Sequence, residues 1–364
     1  MKTTKISFFA FALSCFFVFA LSSCRTEDFP PIENEEGEYG YIFATLSTPR
    51  NGCALNDIVT DNTINSVRIF VFIGDYLETQ KLFVRGETEW DNPFRLRVVL
   101  GQKNVMVVAN EQPEMTYYLG RVQTVNDLYD VFAKPIKAPL SFNPAIGLPM
   151  TGRIDGVSVI DAEPTSTRTD IRLVHMTARL DIAIVDGSNG RLSHINNITL
   201  HNNKGISLLW DRSDDAFLKA TEDIFFDLEY TANEVAAMRP LNSNKWTLPV
   251  LYLYENLHGR DNRDKATRLE IEAVLQIEGY DDFGLPALVY FPIIYSVYIN
   301  EHLPNTSTVN SPEDQRFLIQ RGHHYRLTGT IWGTEYTHIT VKMEAKPWQP
   351  GNSSPQRPLP PPIN

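Results

Sequence analysis

Alternation of apolar and polar positions dominates the chain from Tyr41 onward. Period-two or β-branched runs occur at Tyr41 to Leu46, Ser66 to Ile73, Phe94 to Leu100, Val105 to Ala109, Thr169 to Val174, Ala178 to Val185 and Ile195 to Leu200. The same pattern returns at Leu269 to Ile277, Val289 to Ile299, Tyr325 to Trp332 and Thr337 to Ala345. Successive side chains of a strand point to opposite faces, so each run predicts a strand with one buried row. Gly, Asn, Asp and Pro punctuate the runs, as antiparallel hairpins require. Helical signals are few. Thr231-Ala232-Asn233-Glu234 is a capping box ahead of Val235 to Met238, stopped by Pro240. Leu128, Val131 and Phe132 have helical spacing after Thr124 and stop before Pro135. An all-β chain with two short helical insertions and enough length for two cores predicts two β-sandwiches in tandem.

The composition agrees. Of 364 residues, 20 are Phe, 15 Tyr and 5 Trp, the usage of half-buried strands. A formal charge of −11 gives no footprint for a polyanion, so nucleic acid is excluded as the expected partner. Residues 24–38 are acidic and Pro-rich with little to bury and read as a tether. The last 18 residues, Pro347 to Asn364, hold seven of the 23 prolines, which predicts an extended Pro-rich tail over 349–364.

The first 23 residues read as a signal peptide: Lys2 and Lys5 precede an apolar run from Ile6 to Leu21. The run ends in Leu21-Ser22-Ser23-Cys24, which resembles the bacterial lipobox and implies a diacylglycerol on Cys24; the alternative is an ordinary secretory signal with a chance cysteine. Acyl chains bury roughly 0.8 kcal/mol per CH₂, so a multiply acylated Cys24 predicts attachment to a membrane surface. Arg25-Thr26-Glu27-Asp28 resembles the acidic signal that sends Bacteroidetes lipoproteins to the outer face of the outer membrane, or is simply an acidic tether. With Cys15 in the signal and Cys24 acylated, Cys53 remains alone, which excludes an intramolecular disulfide and a CxxC zinc site.

Candidate chemistry is sparse. His323-His324 opens a strand run, where alternation sends the two rings to opposite faces; His175, His194 and His201 lack HExxH spacing. Asp214-Asp215, Asp261 to Asp264 and Asp281-Asp282 sit among turn residues and read as solvated loops. No nucleophile elbow, Walker motif or dinucleotide glycine pattern is present. Asn197-Ile198-Thr199 lies inside a strand run and is not read as a glycan site. No enzyme, metal or cofactor is expected.

The order of the strand motifs carries more. Tyr41 to Leu46, then Pro49-Arg50-Asn51-Gly52, then Ile64 to Phe72 resembles the opening of the Bacteroidetes fimbrillin family, subunits of the protease-assembled type V pilus. The likeness continues at Val99 to Asn110, Leu148-Pro149-Met150-Thr151-Gly152, Leu173 to Leu180, Gln320 to Tyr325 and Lys346-Pro347-Trp348. The resemblance implies two transthyretin-like β-sandwich domains, here 39–172 and 173–348. It also implies a surface-exposed, lipid-anchored precursor at the outer membrane, and an arginine-specific protease cutting after Arg50, so that Asn51 becomes the new N-terminus. Loss of the first strand, with Ile42, Ala44 and Leu46 on its buried face, would open a groove for the C-terminal strand of another fimbrial subunit. In Thr337 to Ala345 the apolar residues Ile339, Val341, Met343 and Ala345 alternate with His338, Thr340, Lys342 and Glu344, one buried row suited to a donor. Two readings of that segment stay open: donor strand, or ordinary edge strand of its own domain. The Pro-rich extension departs from a plain stalk subunit, which leaves stalk, tip and membrane-anchor roles open. A surface glycan-binding lipoprotein is the alternative of another class; it requires an exposed aromatic platform, and Trp210, Trp246 and Trp332 are dispersed.

Overall fold

A computed structural model describes residues 38–48, 62–130, 132–133, 145–160, 167–210, 224–260, 262–301, 316–333 and 339–347. Cys24, Arg50, Asn51, Cys53, Asp214-Asp215, the signal, most of the tether and the tail lie outside these residues.

The N-terminal half contains β1 (Tyr39–Ser47), β2 (Ser66–Ile73), β3 (Tyr76–Val84), β4 (Phe94–Val99), β5 (Gly101–Ala109), α1 (Pro113–Leu119), α2 (Val125–Tyr129), β6 (Phe132–Ala133), β7 (Met150–Val159), β8 (Arg168–Arg172) and β9 (Val174–His175). They build a three-stranded sheet of order β4-β1-β8 and a five-stranded sheet of order β3-β2-β5-β7-β9. Between the sheets lie Ile42, Ala44, Leu46, Val67, Ile69 and Val71 with the inward residues of β4, β5, β7 and β8. This is the sandwich core that alternation in β1 and β4 predicts.

The C-terminal half contains β10 (Thr177–Asp186), β11 (Leu192–Lys204), β12 (Ser207–Leu208), β13 (Phe225–Thr231), α3 (Ala232–Ala237), β14 (Lys245–Thr247), β15 (Leu251–Tyr254), β16 (Arg268–Tyr280), β17 (Pro286–Tyr298), β18 (His323–Ile331) and β19 (Ile339–Pro347). One sheet runs β14-β10-β18-β19, with β15 also on β10; the other runs β13-β11-β16-β17. Their shared core includes Leu180, Ile182, Ile198, Leu200, Ile271, Tyr325 and Leu327. The two sandwiches bear out the all-β expectation. The predicted capping box is formed at α3, where Glu234 accepts from the Thr231 backbone.

A third apolar cluster joins the halves. Phe70 and Phe72 of β2 and Met106 and Val108 of β5 face away from the first core and meet α1, α2, Met176, Leu209, Trp210 and Tyr254. The five-stranded sheet is therefore covered on both faces where β2 and β5 run. This explains why β2 is buried at nearly every position instead of alternately. Within the N-terminal half, Asn110, in the left-handed region at φ 55, ties the end of β5 to the segments before β2 and β7: its carboxamide accepts from Asn65 N at 2.8 Å and donates to Thr63 O at 2.7 Å and Leu148 O at 2.9 Å.

Two sequence expectations are adjusted here. The segment from Leu128 to Phe132 is not one helix: α2 ends at Tyr129, and Phe132 pairs with Leu208 in the short β6·β12 ladder. The strand run Thr169 to Val174 divides, because Ile171 enters the first core from β8 while Val174 turns to pair with Thr151.

Candidate functional site at β1 and β19

β1 is the middle strand of its sheet. It pairs antiparallel with β4 from Tyr39↔Val99 to Ala44↔Phe94, and parallel with β8 from Phe43↔Arg168 to Ser47↔Arg172. Its inward residues Ile42, Ala44 and Leu46 are buried in the N-terminal core. The pairing with β4 ends at Ala44, and beyond it the side chain of Asn92 takes over the ladder. Leu46 N donates to Asn92 Oδ1 at 3.0 Å and Asn92 Nδ2 donates to Leu46 O at 3.1 Å. Phe43 N donates to Thr167 O at 3.0 Å, and Leu173 N donates to Ser47 O at 2.9 Å. On the outer face the Arg95 guanidinium lies 3.7 Å from the Tyr41 ring centre and that of Arg97 lies 4.0 Å from Tyr39.

Removal of β1 would therefore leave a slot with unpaired backbone groups on β4 and β8 and an apolar floor. Ile42 and Leu46 each contribute about 1.5–3 kcal/mol by apolar burial, and an orphaned buried backbone group costs about 1–3 kcal/mol. An empty slot is a demanding site that an extended strand with alternating apolar side chains would satisfy. Downstream of the loop, Asn62 is held by His175, whose Nε2 lies 2.9 Å from Asn62 Oδ1. His175 is wholly buried, which pushes its pKa down to about 3 and keeps the ring neutral.

The predicted donor residues lie on β19. Residues 337 and 338 fall outside the described chain, and the strand extends to Pro347. β19 pairs antiparallel with β18 and occupies the sheet edge, with Ile339↔Ile331, Val341↔Gly329, Met343↔Leu327 and Ala345↔Tyr325. Met343 is buried, while Ile339, Val341 and Ala345 are half-buried against the C-terminal core. Gly329 leaves room for this row, since a Cβ there would stand 2.8 Å from Ile339 Cδ1. Lys342 and Glu344 point the other way and pair at 3.3 Å. The alternation is thus real, and in this structure the row is seated on its own domain.

Other singled-out residues have structural partners. His323 Nδ1 lies 3.0 Å from Arg321 O and His324 Nε2 lies 2.7 Å from Asp181 Oδ2, on opposite sides of β18. Asp281 Oδ1 accepts from Phe283 N and Leu285 N and shapes the β16–β17 turn. Trp210 and Trp246 are buried; Trp332 is partly exposed and donates to Thr340. Among the described residues no group of three His, Cys, Asp or Glu is placed to hold a metal ion, and no helix is long and apolar enough to cross a membrane. Sequence reasoning missed Asn92, the partner of His175 and the parallel pairing of β8 with β1; a parallel partner more than a hundred residues away leaves no local pattern to read.

Residues 45–198 match the protein family described as major fimbrial subunit protein (FimA). A curated relative, major fimbrium subunit FimC of Porphyromonas gingivalis, is 26% identical over 302 residues, covering 79% of this chain and 58% of the relative. The chain thus spans little more than half the length of that relative. Among solved structures, the tip fimbrial protein Mfa3 of P. gingivalis is similar with a TM-score of 0.55 at 16% identity, over 85% of this chain and 100% of that one. A fimbrilin (FimA) of P. gingivalis W83 is similar with a TM-score of 0.53 at 14% identity, over 87% and 99%. At such identities the structural likeness speaks for the fold. The family match, the curated relative and the shared fold together bear out the resemblance read from the sequence: this chain is similar to fimbrial subunits of Bacteroidetes, with the matched region running from the end of β1 into β11.

Proposed function

We propose that the chain is a structural or accessory subunit of a cell-surface fimbrium, carried to the outer membrane by a lipid on Cys24 and joined to its neighbours by strand addition. An arginine-specific protease cuts after Arg50, β1 departs, and the β19 segment of a neighbouring subunit takes its place between β4 and β8. The observation that carries this reading is the match between the two strands. β1 and β19 are both nine residues long. Each presents an alternating apolar row, Ile42, Ala44 and Leu46 in one and Ile339, Val341, Met343 and Ala345 in the other. β1 fills a slot bounded by two strands, whereas β19 is held by one, so the donor has less to break than the slot has to gain.

The pinned Asn62 supports the same sequence of events. Cleavage after Arg50 separates β1 from a downstream segment that stays fastened through His175, so the rest of the sandwich keeps its attachment while the slot opens. The test is Arg50→Ala in the full chain, scored by SDS-resistant ladders on the cell surface. The expected result is a folded monomer without ladders. Ladders at the normal level would remove Arg50 cleavage from the process.

A further inference from the structure

Two faces of this chain are unusual for a molecule with a net charge of −11. The first is the outer face of the β4-β1-β8 sheet. Arg95 and Arg97 of β4 and Arg168 and Arg172 of β8 are exposed there around the rings of Tyr41 and Phe43, with Asp170 as the carboxylate among them. Among the described residues none of these four arginines is paired with a carboxylate; Arg95 and Arg97 rest on aromatic rings instead.

The second is the outer face of the β13-β11-β16-β17 sheet at its β17 edge. β17 carries no charged residue over 13 positions. Its outward residues Leu288, Tyr290 and Ile294 are 53%, 56% and 63% exposed, and Phe283 in the turn is 88% exposed. Glu278 stands opposite Leu288 and Glu272 opposite Ile294, with Val274 and Gln276 between them, so the outer row of β16 sets a carboxylate beside each end of the apolar stripe. Glu270 continues the row and is bridged to Arg268 at 3.5 Å. Exposed apolar stripes of this kind mark interaction surfaces. Pro292, at the middle of β17, has no N–H to offer along the open edge, which disfavours simple strand addition and leaves the face as the docking element.

We propose that the basic, aromatic face of one copy docks on the acidic, apolar face of a second copy. Charge complementarity fixes the occupant: arginines with aromatic rings meet glutamates with aliphatic and aromatic side chains, and both surfaces belong to the same sequence. The contact is heterologous, so it propagates along a row of copies instead of closing into a symmetric pair. It is also separate from strand addition. The rings of Tyr41 and Phe43 leave with β1, but the four arginines belong to β4 and β8 and remain to carry the charge when β1 is exchanged, and the acidic face lies on the sheet that does not contain β19. The docking is therefore a reversible, salt-sensitive contact between copies.

The test uses the full chain carrying Arg50→Ala, so that docking is measured without protease-triggered exchange. Sedimentation velocity at low and high salt is run on three variants: Arg95→Glu with Arg97→Glu, Glu272→Arg with Glu278→Arg, and the control Lys245→Glu, which lies on neither face. The parent is expected to self-associate at low salt and to dissociate as salt rises. Each face reversal is expected to weaken association about tenfold or more, the control to leave it unchanged, and an equimolar mixture of the two reversed variants to associate again. A parent that stays monomeric at low salt, or reversals that behave like the control, would overturn the proposal. So would a mixture that fails to recover while both variants melt cooperatively. Failure here leaves the SDS-resistant ladders of the processed chain untouched, so the two readings fail independently.

Discussion

Arg68 stands on β2 with its guanidinium turned toward the seam between the halves, where Nε and Nη2 donate to Glu111 at 2.7 and 2.9 Å. Both side chains are more than nine-tenths buried, and Thr116 donates to the same carboxylate at 2.9 Å. Arg68→Met leaves that carboxylate buried without its cation, which is expected to cost about 3–5 kcal/mol in urea unfolding. Arg68→Met with Glu111→Leu should recover most of the loss; a single variant within about 0.5 kcal/mol of the parent would contradict the pairing's role. His175 sets a pH dependence of its own. Burial holds its pKa near 3, below the ordinary 6.5, so between these values the unfolded chain binds a proton that the folded chain does not. Stability must then fall as pH drops below about 6.5, by up to about 1.4 kcal/mol per pH unit from this residue. His175→Gln should flatten the slope between pH 6.5 and 5, where carboxylates contribute little; an unchanged slope in thermal melts would assign it elsewhere. Arg68 did not announce this in the sequence, because it sits in an apolar run whose second face is buried only by tertiary packing against α1, α2 and residues far along the chain.

Strand by strand, the period-two pattern was most readable where one face meets a core and the other meets water, as in β1, β4, β10, β16 and β18. It was unreadable in β3, whose residues are nearly all half-buried and include Glu78, the partner of the buried Lys103 at 2.7 Å. β7 was obscured by Gly152, Gly156 and a register shift opposite Lys103 and Val105. α1 has seven residues, the first of them Pro113, and is too short to show helical spacing. β13 does alternate, with Phe226, Leu228 and Tyr230 against Asp227 and Glu229, and was legible though not read. β19 carries the sharpest consequence. A charge in place of half-buried Val341 loses its packing opposite Gly329 and would be buried unpaired in a neighbour's slot, whereas Lys342 is exposed on the other face. Val341→Asp is therefore expected to abolish SDS-resistant ladders and to lower stability by about 1–3 kcal/mol, while Lys342→Asp leaves both near normal. Equal ladders from the two variants would exclude β19 from subunit joining.

For the molecule as a whole, two sandwiches were legible from strand count and chain length, but the seam between them was not. It depends on Phe70, Phe72, Met106 and Val108 facing a second set of partners that includes Met176 and Tyr254, far away in sequence. The β1 slot was half legible: its apolar row could be read, while β8 and Asn92, which complete its walls, could not. The slot nonetheless gives the account its most direct test, because strand replacement requires that the original strand be gone. Material displayed on the cell surface should be collected as SDS-resistant polymer and its N-terminal residue determined. The account predicts Asn51, with Tyr39–Ser47 absent from every polymerised copy. Polymer whose copies still begin at an acylated Cys24 and retain Tyr39–Ser47 would contradict it.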